Sequence, residues 1–231
     1  MTVPDQQSGF LPWIYRAYNT FPFLNRRAAF LKSAPPYGKW LDIGSGTGLV
    51  FRNLHALRSD LSATATDIRD YAQHFQGHEN EVFVQIDAEH WPFPDDHFDV
   101  LTSFHVLEHM GRSGRDRFYS EMTRVLKPGG RFYLETPSHR STWLPPIKSP
   151  HGPTNFWQDP THVEIVNPKE FQEVYNNRWN LHRVRVYRNW LYVLAAPVLL
   201  PVAFFPPGNL AYHYLMPNLV GWSIYAEGAK R

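Results

Sequence analysis

Lys39-Trp40-Leu41-Asp42-Ile43-Gly44-Ser45-Gly46-Thr47-Gly48 reads as a buried strand that runs into a glycine-rich turn and from there into a helix. Trp40, Leu41 and Ile43 are strand formers, and glycines at alternate positions remove the Cβ atoms that would keep a ligand from the backbone amides. Leu49, Val50, Phe51, Leu54 and Leu57 then recur at helical spacing, so the turn opens a helix that packs on a sheet. Such a junction is a ligand site. It is not a dinucleotide fingerprint, because the spacing is G-x-G-x-G and Leu49 stands where the last glycine belongs. Nor is it a phosphate loop of the Walker kind, since no Lys-Ser or Lys-Thr closes it. Asp42 sets a carboxylate at the turn, which repels a pyrophosphate and suits a cationic ligand.

The rest of the chain frames that junction. With 231 residues, 43% of them hydrophobic, one α/β domain with a substantial core is the economical count. A net charge of +2 argues against duplex DNA as partner, and the absence of cysteine excludes disulfides, thiolate metal sites and a cysteine nucleophile. Residues 1–36 hold no basic start followed by an apolar core, so no signal peptide is expected and a cytoplasmic home, with membrane association as the variant, fits. This lead is aromatic and broken by Pro12 and Pro22. It is expected to pack as short helices across the sheet edge and to lie over the ligand end as a lid, with Pro35-Pro36 marking the start of the main domain, residues 37–231.

Further strands follow. Leu61 to Ile68 ends in Asp67, about 20 residues past the loop, the separation of a carboxylate that accepts ribose hydroxyls. Val82 to Ala88 ends in Asp87, Val100 to Phe104 makes a fourth strand, and Arg131 to Glu135 makes a fifth after a helix carrying Phe118, Met122, Val125 and Leu126, which Pro128-Gly129-Gly130 terminates. No basic stripe or Asn/Asp-Pro-Pro-aromatic motif suited to nucleic acid is present.

Asp42-Ile43-Gly44-Ser45-Gly46-Thr47-Gly48 resembles the first motif of the Rossmann-like (class I) S-adenosylmethionine-dependent methyltransferases. Trp91-Pro92-Phe93-Pro94-Asp95-Asp96-His97-Phe98-Asp99 and Arg124-Val125-Leu126-Lys127-Pro128-Gly129-Gly130-Arg131 are similar to two further segments of that class, its small-molecule O-methyltransferases above all. The resemblance is close over about residues 38–136. It implies an α/β fold with a seven-stranded, mostly parallel sheet, and S-adenosylmethionine as cofactor. Asp42, Gly44, Ser45, Gly46 and Gly48 would form the loop that binds it, and Asp67 would hold the ribose. Ile68 would face the adenine, Asp87 and Ala88 would read its edge, and Phe104 would stand at the neighbouring strand tip.

Methyl transfer to a hydroxyl needs alignment and a base. His105-Val106-Leu107-Glu108-His109 follows the fourth strand and, read as a helix, puts His105, Glu108 and His109 on one face. The set reads as a hydrogen-bonded brace, as a base or substrate contact, or, least, as a metal site. A similar segment in ubiquinone-biosynthesis O-methyltransferases is associated with a divalent cation, but His105 departs from it and Mg²⁺ prefers oxygen ligands. A second group, His139, His151, Trp157, Asp159 and His162, lies in and just after the proline-rich stretch that follows the fifth strand, and within it Asp159-Pro160-Thr161-His162 resembles the substrate loop of several sugar and quinone O-methyltransferases. His162 is the leading base, with His109 second. Asn167-Pro168-Lys169-Glu170 looks like a capped helix start in which Glu170 reaches back.

No Lys, Arg, Asp or Glu occurs from Asn189 to Ala226. The apolar run from Trp190 is short and interrupted by Pro197 and Pro201, so a membrane span is not expected. His182 to Tyr187 and Trp222 to Ala226 alternate as the sixth and seventh strands, which leaves residues 190–218 as an insertion. An apolar lid, a second subunit (a homodimer) or a lipid surface would cover it. The lid is favoured, with Leu194, Leu199, Phe204, Phe205, Tyr212 and Tyr214 walling an acceptor pocket. The expected activity is methylation of a small-molecule hydroxyl on a sugar, glycan or natural product. The alternatives are a lipid or quinone acceptor at a membrane surface, and a non-catalytic cofactor-binding regulatory or assembly protein.

Overall fold

The computed structural model describes residues 25–76, 80–87, 90–147, 153–175, 179–203 and 210–231. Helix α1 (Arg26–Lys32) leads into β1 (Lys39–Ile43), α2 (Leu49–His55), β2 (Ser62–Asp67), β3 (Glu81–Gln85) and β4 (Phe98–Phe104). Then come α3 (Arg112–Val125), β5 (Leu126–Pro137), α4 (Pro168–Tyr175), β6 (Trp179–Val186), α5 (Trp190–Ala203), α6 (Leu210–Val220) and β7 (Ser223–Lys230). The seven strands form one sheet in the order β3-β2-β1-β4-β5-β7-β6. The first five are parallel, while β7 runs antiparallel between β5 and β6. This is the mostly parallel α/β sheet expected from the sequence.

Both faces of the sheet are covered, which is why its central strands are mostly apolar; Asp42, Thr102, Ser103 and Glu135 are the polar residues buried among them. Leu41 and Ile43 of β1 face a core with Leu101, Phe118, Met122, Phe132 and Trp179. Trp40 faces the other, with Phe51, Leu54, Ala63, Ala65 and Tyr133. The Trp40 ring stacks on Phe51 at 4.7 Å and its Nε1 donates to Thr102 Oγ1 at 2.8 Å, so the polar edge of a fully buried indole is satisfied. β1 is thereby held by the helix its own turn launches.

Helix α1 begins at Asn25, whose side chain accepts from the amides of Arg27 and Ala28. Phe30 packs on Tyr133 at 5.4 Å, and Arg58 donates to the carbonyls of Leu31 and Ala34, which brings the helix across the β1–β5 region of the sheet. The earlier part of the aromatic lead, residues 1–24, lies outside the described residues.

Several expectations need correction. Helix α3 ends at Val125, but Pro128-Gly129-Gly130 lies inside the span of β5, at a register shift against β4 between Phe98 and Val100. Asn167 accepts from Lys169 N, yet Glu170 does not reach back to complete a capping box. Its carboxylate instead takes a bidentate pair from the buried Arg115, at 2.8 and 3.0 Å. A capping box does form one loop earlier, between Asn155 and Gln158.

Helices α5 and α6 pack together, with Ala196, Tyr212 and Leu215 buried between them. Leu194 is 76% exposed and Tyr212 is buried inside the pair, so neither lines a pocket. Leu199 packs on the helices' own small core. Phe204 and Phe205, and the side chain of Tyr214, fall outside the described residues.

Candidate functional site

The turn after β1 takes left-handed backbone at each of its glycines, with φ of 78° at Gly44, 52° at Gly46 and 80° at Gly48. A Cβ on Gly44 would stand 2.2 Å from Val106 Cγ2, so the turn is pressed against the segment following β4. A Cβ on Gly46 would meet nothing within 4 Å, so this glycine faces open space. The amides of Gly44 and Ser45 donate to Thr66 O at 2.9 and 2.8 Å, which ties the turn to β2. The result is a bare, rigidly held cradle at the ends of β1 and β2.

Asp42 organises this cradle from beneath. Only 2% exposed, it accepts from Ser45 Oγ at 2.8 Å and from Thr102 Oγ1. Burial raises its pKa to about 6, opposed by those hydroxyls and by the charge of Arg27. Its carboxylate therefore braces the loop and projects negative charge, rather than standing at the mouth.

Asp67, half-buried at the tip of β2, accepts from Gly46 N through Oδ2 and from Arg69 N through Oδ1, both at 3.0 Å. A carboxylate oxygen keeps a further lone pair after one such bond, so Asp67 can fix the loop and still accept from a vicinal diol. Ile68 beside it is 59% exposed, an apolar face beside the diol site. Asp87 is exposed past β3 and accepts from His90 N at 2.6 Å. Ala88 lies outside the described residues. Phe104 is 9% exposed, with the Arg27 guanidinium 4.6 Å over its ring, so the cation and not a ligand covers that face.

The segment after β4 does not form the single helical face expected for His105, Glu108 and His109. His105 has φ 58°, left-handed backbone that is unusual for a residue with a Cβ, and only Leu107–His109 forms a short 3₁₀ turn. The triplet is split as a result. His105 turns toward the sheet, with Nδ1 3.2 Å from Glu108 Oε1 and Nε2 3.6 Å from Glu135 Oε1. Burial alone would lower its pKa, but the hydrogen bonds and charges of Glu108 and Glu135 raise it to about 9, and the ring is an imidazolium at neutral pH. Glu135 in turn takes both donors of Arg27, at 2.8 and 2.7 Å, and that cation helps to hold its carboxyl well below the usual range against the cost of burial.

His109 turns the other way. Glu108 is fully buried, accepts from Thr136 Oγ1 at 3.0 Å, and its backbone carbonyl accepts from Val163 N at 2.8 Å, which ties the 3₁₀ turn to the loop before α4. That tie brings His162 to His109, ring centroids 4.9 Å apart. His162 Nδ1 lies 2.6 Å from Phe156 O, and His109 Nδ1 lies 2.9 Å from Thr161 Oγ1, whose own proton goes to Asp159 Oδ1 at 2.6 Å. A carbonyl and a hydroxyl already committed as donor can only accept, so both Nδ1 atoms carry hydrogen, which in a neutral ring leaves the lone pair on Nε2; His162 Nε2 lies 3.9 Å from Asp159 Oδ2. Two imidazole bases thus stand together. Glu108, His109 and His162 each offer one ligand atom within 4.8 Å of the others, whereas His105, named with the metal candidates on sequence grounds, is outside this group.

Sequence reasoning missed Arg27, Glu135, Thr136 and Thr161. Glu135 closes a strand in an acid as Asp67 nearly does, and that signal was in the sequence. Arg27 had none, since its partner is 108 positions away.

Residues 41–134 match the family model described as a methyltransferase domain. The ubiquinone/menaquinone biosynthesis C-methyltransferase UbiE of Vibrio vulnificus is 35% identical over 110 residues, 44% of this chain and 42% of its own. The uncharacterized methyltransferase YcgJ of Bacillus subtilis is 30% identical over 155 residues, 61% of this chain and 60% of its own. The chain spans about half the length of the curated relatives it matches. Among solved structures, a chain of the complex between the Haloferax volcanii Trm112 methyltransferase activator and a methyltransferase aligns over 99% of both chains, with TM-score 0.66 and 16% identity. The structure of YcgJ aligns over 89% of this chain and 97% of its own, with TM-score 0.57 and 22% identity. The glycine cradle, the acid at the tip of β2, the strand order and the match over residues 41–134 agree: the chain has the Rossmann-like methyltransferase fold, with a methyltransferase-domain match over its first five strands.

Proposed function

We propose that this protein methylates a small-molecule acceptor bearing an acidic hydroxyl, with His162 and His109 as the proton-accepting pair. The observation that carries the reading is the juxtaposition of two imidazoles, His109 on the turn that contacts the glycine cradle through Val106 and His162 on the loop beside it, each with its Nδ1 held by an oxygen and with His162 Nε2 3.9 Å from Asp159 Oδ2. Bound S-adenosylmethionine supplies a methyl carbon made electrophilic by its sulfonium. Gly44, Ser45, Gly46 and Gly48 would let it approach the backbone, Asp67 would accept its ribose hydroxyls, Ile68 would pack on the adenine, Asp87 and Ala88 would read the ring edge, and the charge of Asp42 favours its cationic end. His162 or His109 takes the acceptor's proton at Nε2 as the methyl–oxygen bond forms.

A phenolic or quinol-type acceptor suits this arrangement and extends the hydroxyl acceptors expected from sequence. Removing a ring hydroxyl proton activates both the oxygen and the adjacent ring carbon. The same two imidazoles therefore serve O-methylation, or C-methylation in which the second takes the ring C–H proton after the methyl–carbon bond forms, and the UbiE relatives are named as C-methyltransferases of ubiquinone/menaquinone biosynthesis. His105, held protonated by its two acids, is a cation and not a base in this reading, and its charge would offset that of the acceptor anion.

The test is transfer from radiolabelled S-adenosylmethionine to a panel of phenols, quinols, glycosides and lipids, with products assigned by mass spectrometry. Turnover of a phenol or quinol that falls by ~10²–10⁴ in His162→Ala, with S-adenosylhomocysteine binding intact, supports the reading. Binding of the cofactor without turnover of any acceptor moves the protein to the class of regulatory or assembly partners.

A further inference from the structure

We infer that the α5–α6 hairpin is a docking surface for an anionic lipid bilayer, lying on it without crossing it. The hairpin carries no charged side chain between Asn189 and Ala226. Its inward residues, Ala196, Tyr212 and Leu215, bury one another. Trp190, Leu194 and Val198 do not: at helical spacing i, i+4 and i+8 they form one stripe on α5, exposed by 62%, 76% and 76%. No helix among the described residues is long and apolar enough to cross a membrane, and α5 contains Pro197 and Pro201. A helix pair that does not span and presents an outward apolar stripe would bury that stripe at a bilayer surface, with polar contacts supplied by the residues at its root.

The base of the hairpin says what kind of surface it meets. Around Gly221, where α6 ends, the Arg188 Nε and Arg140 Nη1 atoms lie 3.3 and 3.7 Å from the position a Cβ would take. The Arg140 guanidinium sits 5.4 Å over the ring of Trp143, which is 62% exposed. Arg185 on β6 is exposed as well. A projection without Lys, Arg, Asp or Glu, carrying an exposed apolar stripe and with Arg140, Arg185, Trp143 and Trp190 at its root, has the charge pattern of a headgroup contact, arginine toward lipid phosphate and tryptophan at the boundary. A second copy of the chain fits less well: three side chains expose on the order of a few hundred Å², short of the ~800 Å² that each partner of a stable complex buries.

Docking would also orient the site. Ser138, just past β5, donates to Gly221 O at 2.7 Å through Oγ, and its amide donates to Trp222 O at 2.7 Å. The Trp222 ring lies 5.6 Å from that of His105. The hairpin is therefore rooted at the same end of the sheet as the catalytic candidates, so docking would hold that end of the sheet toward the bilayer. Lipid binding is read without turnover, so it is tested independently of the proposed activity.

The experiment is co-sedimentation of the full chain with vesicles of phosphatidylcholine alone and of phosphatidylcholine with phosphatidylglycerol. The expected result is salt-sensitive binding to the anionic vesicles, at least tenfold weaker in Leu194→Glu/Val198→Glu and with its anionic preference reduced in Arg140→Gln/Arg188→Gln. Calorimetry with S-adenosylhomocysteine checks that each variant is folded. Wild-type protein that stays in the supernatant with every vesicle overturns the inference. So does a dimer in light scattering that Leu194→Glu/Val198→Glu converts to monomer, since the stripe would then be occupied by a second copy.

Discussion

His109 and His162 stand with ring centroids 4.9 Å apart, and each has its Nδ1 committed to an oxygen that can only accept. The arrangement fixes both tautomers by neighbours outside the rings. His162→Ala should lower turnover by ~10²–10⁴ and leave S-adenosylhomocysteine affinity within twofold, measured by steady-state kinetics and calorimetry. Thr161→Val removes the oxygen that orients His109, and a smaller loss of kcat at unchanged KM is expected. Treatment with EDTA should leave turnover unchanged. A loss restored by zinc would instead make Glu108, His109 and His162 a metal site.

Two glycines of the same loop should behave differently. At Gly44 a methyl group meets Val106 at 2.2 Å on left-handed backbone, so Gly44→Ala should cost about 2 kcal/mol or more in denaturant melts. At Gly46 there is space, so Gly46→Ala should cost only the backbone strain, roughly 1–2 kcal/mol, while cofactor affinity falls sharply because the new methyl group occupies the cradle.

The pKa of Asp42, pushed up to about 6 by burial, gives cofactor binding a pH dependence. A cationic ligand prefers the carboxylate form, so affinity should rise between pH 5 and pH 7 and level off above. Asp42→Asn should flatten that rise. A pH-independent affinity in the wild-type chain would sink the assignment.

His105 makes folding, rather than cofactor binding, depend on pH. Its pKa in the folded chain, about 9, lies above the ~6.5 of an unperturbed imidazole. The stabilisation is thus fully present below about pH 6.5 and lost as pH rises through 9. Urea midpoints between pH 7 and 9 should fall in the wild type and fall less in His105→Asn, which tolerates the left-handed backbone and carries no charge.

Glu170 and Arg115 are 4% and 1% exposed, and Tyr119 also donates to the acid. Glu170→Gln leaves a buried guanidinium with half its compensation and should cost about 3–5 kcal/mol. Adding Arg115→Met should recover part of that loss in urea unfolding, because it removes the buried guanidinium whose charge the first substitution left under-compensated.

How much of this was legible in sequence follows from the range of the interactions. The sheet was legible because β1, β4 and β5 are buried on both faces and read as mostly apolar runs, and because Asp67 lies at a separation that the cradle itself dictates. His105 was misread because its left-handed backbone, favoured by the acids on either side of it, breaks the helical spacing the residues suggest. The nearness of His109 and His162 depends on a carbonyl of Glu108 accepting from Val163, a main-chain bond that leaves no trace in side-chain pattern. Glu170 looked like a cap because Asn-Pro-Lys-Glu is a helix start, but a buried arginine from α3 outcompetes the local amide.

The reversed direction of β7 has an evolutionary consequence. A strand that ran with its neighbours would begin at the far edge, and a segment inserted ahead of it would hang away from the chemistry. Because β7 begins where β5 ends, with Pro137 opposite Ser223, anything lengthened between β6 and β7 emerges beside the reaction chamber. New acceptors can be recruited there by lengthening, shortening or greasing one loop, while the nucleoside half of the molecule is left untouched.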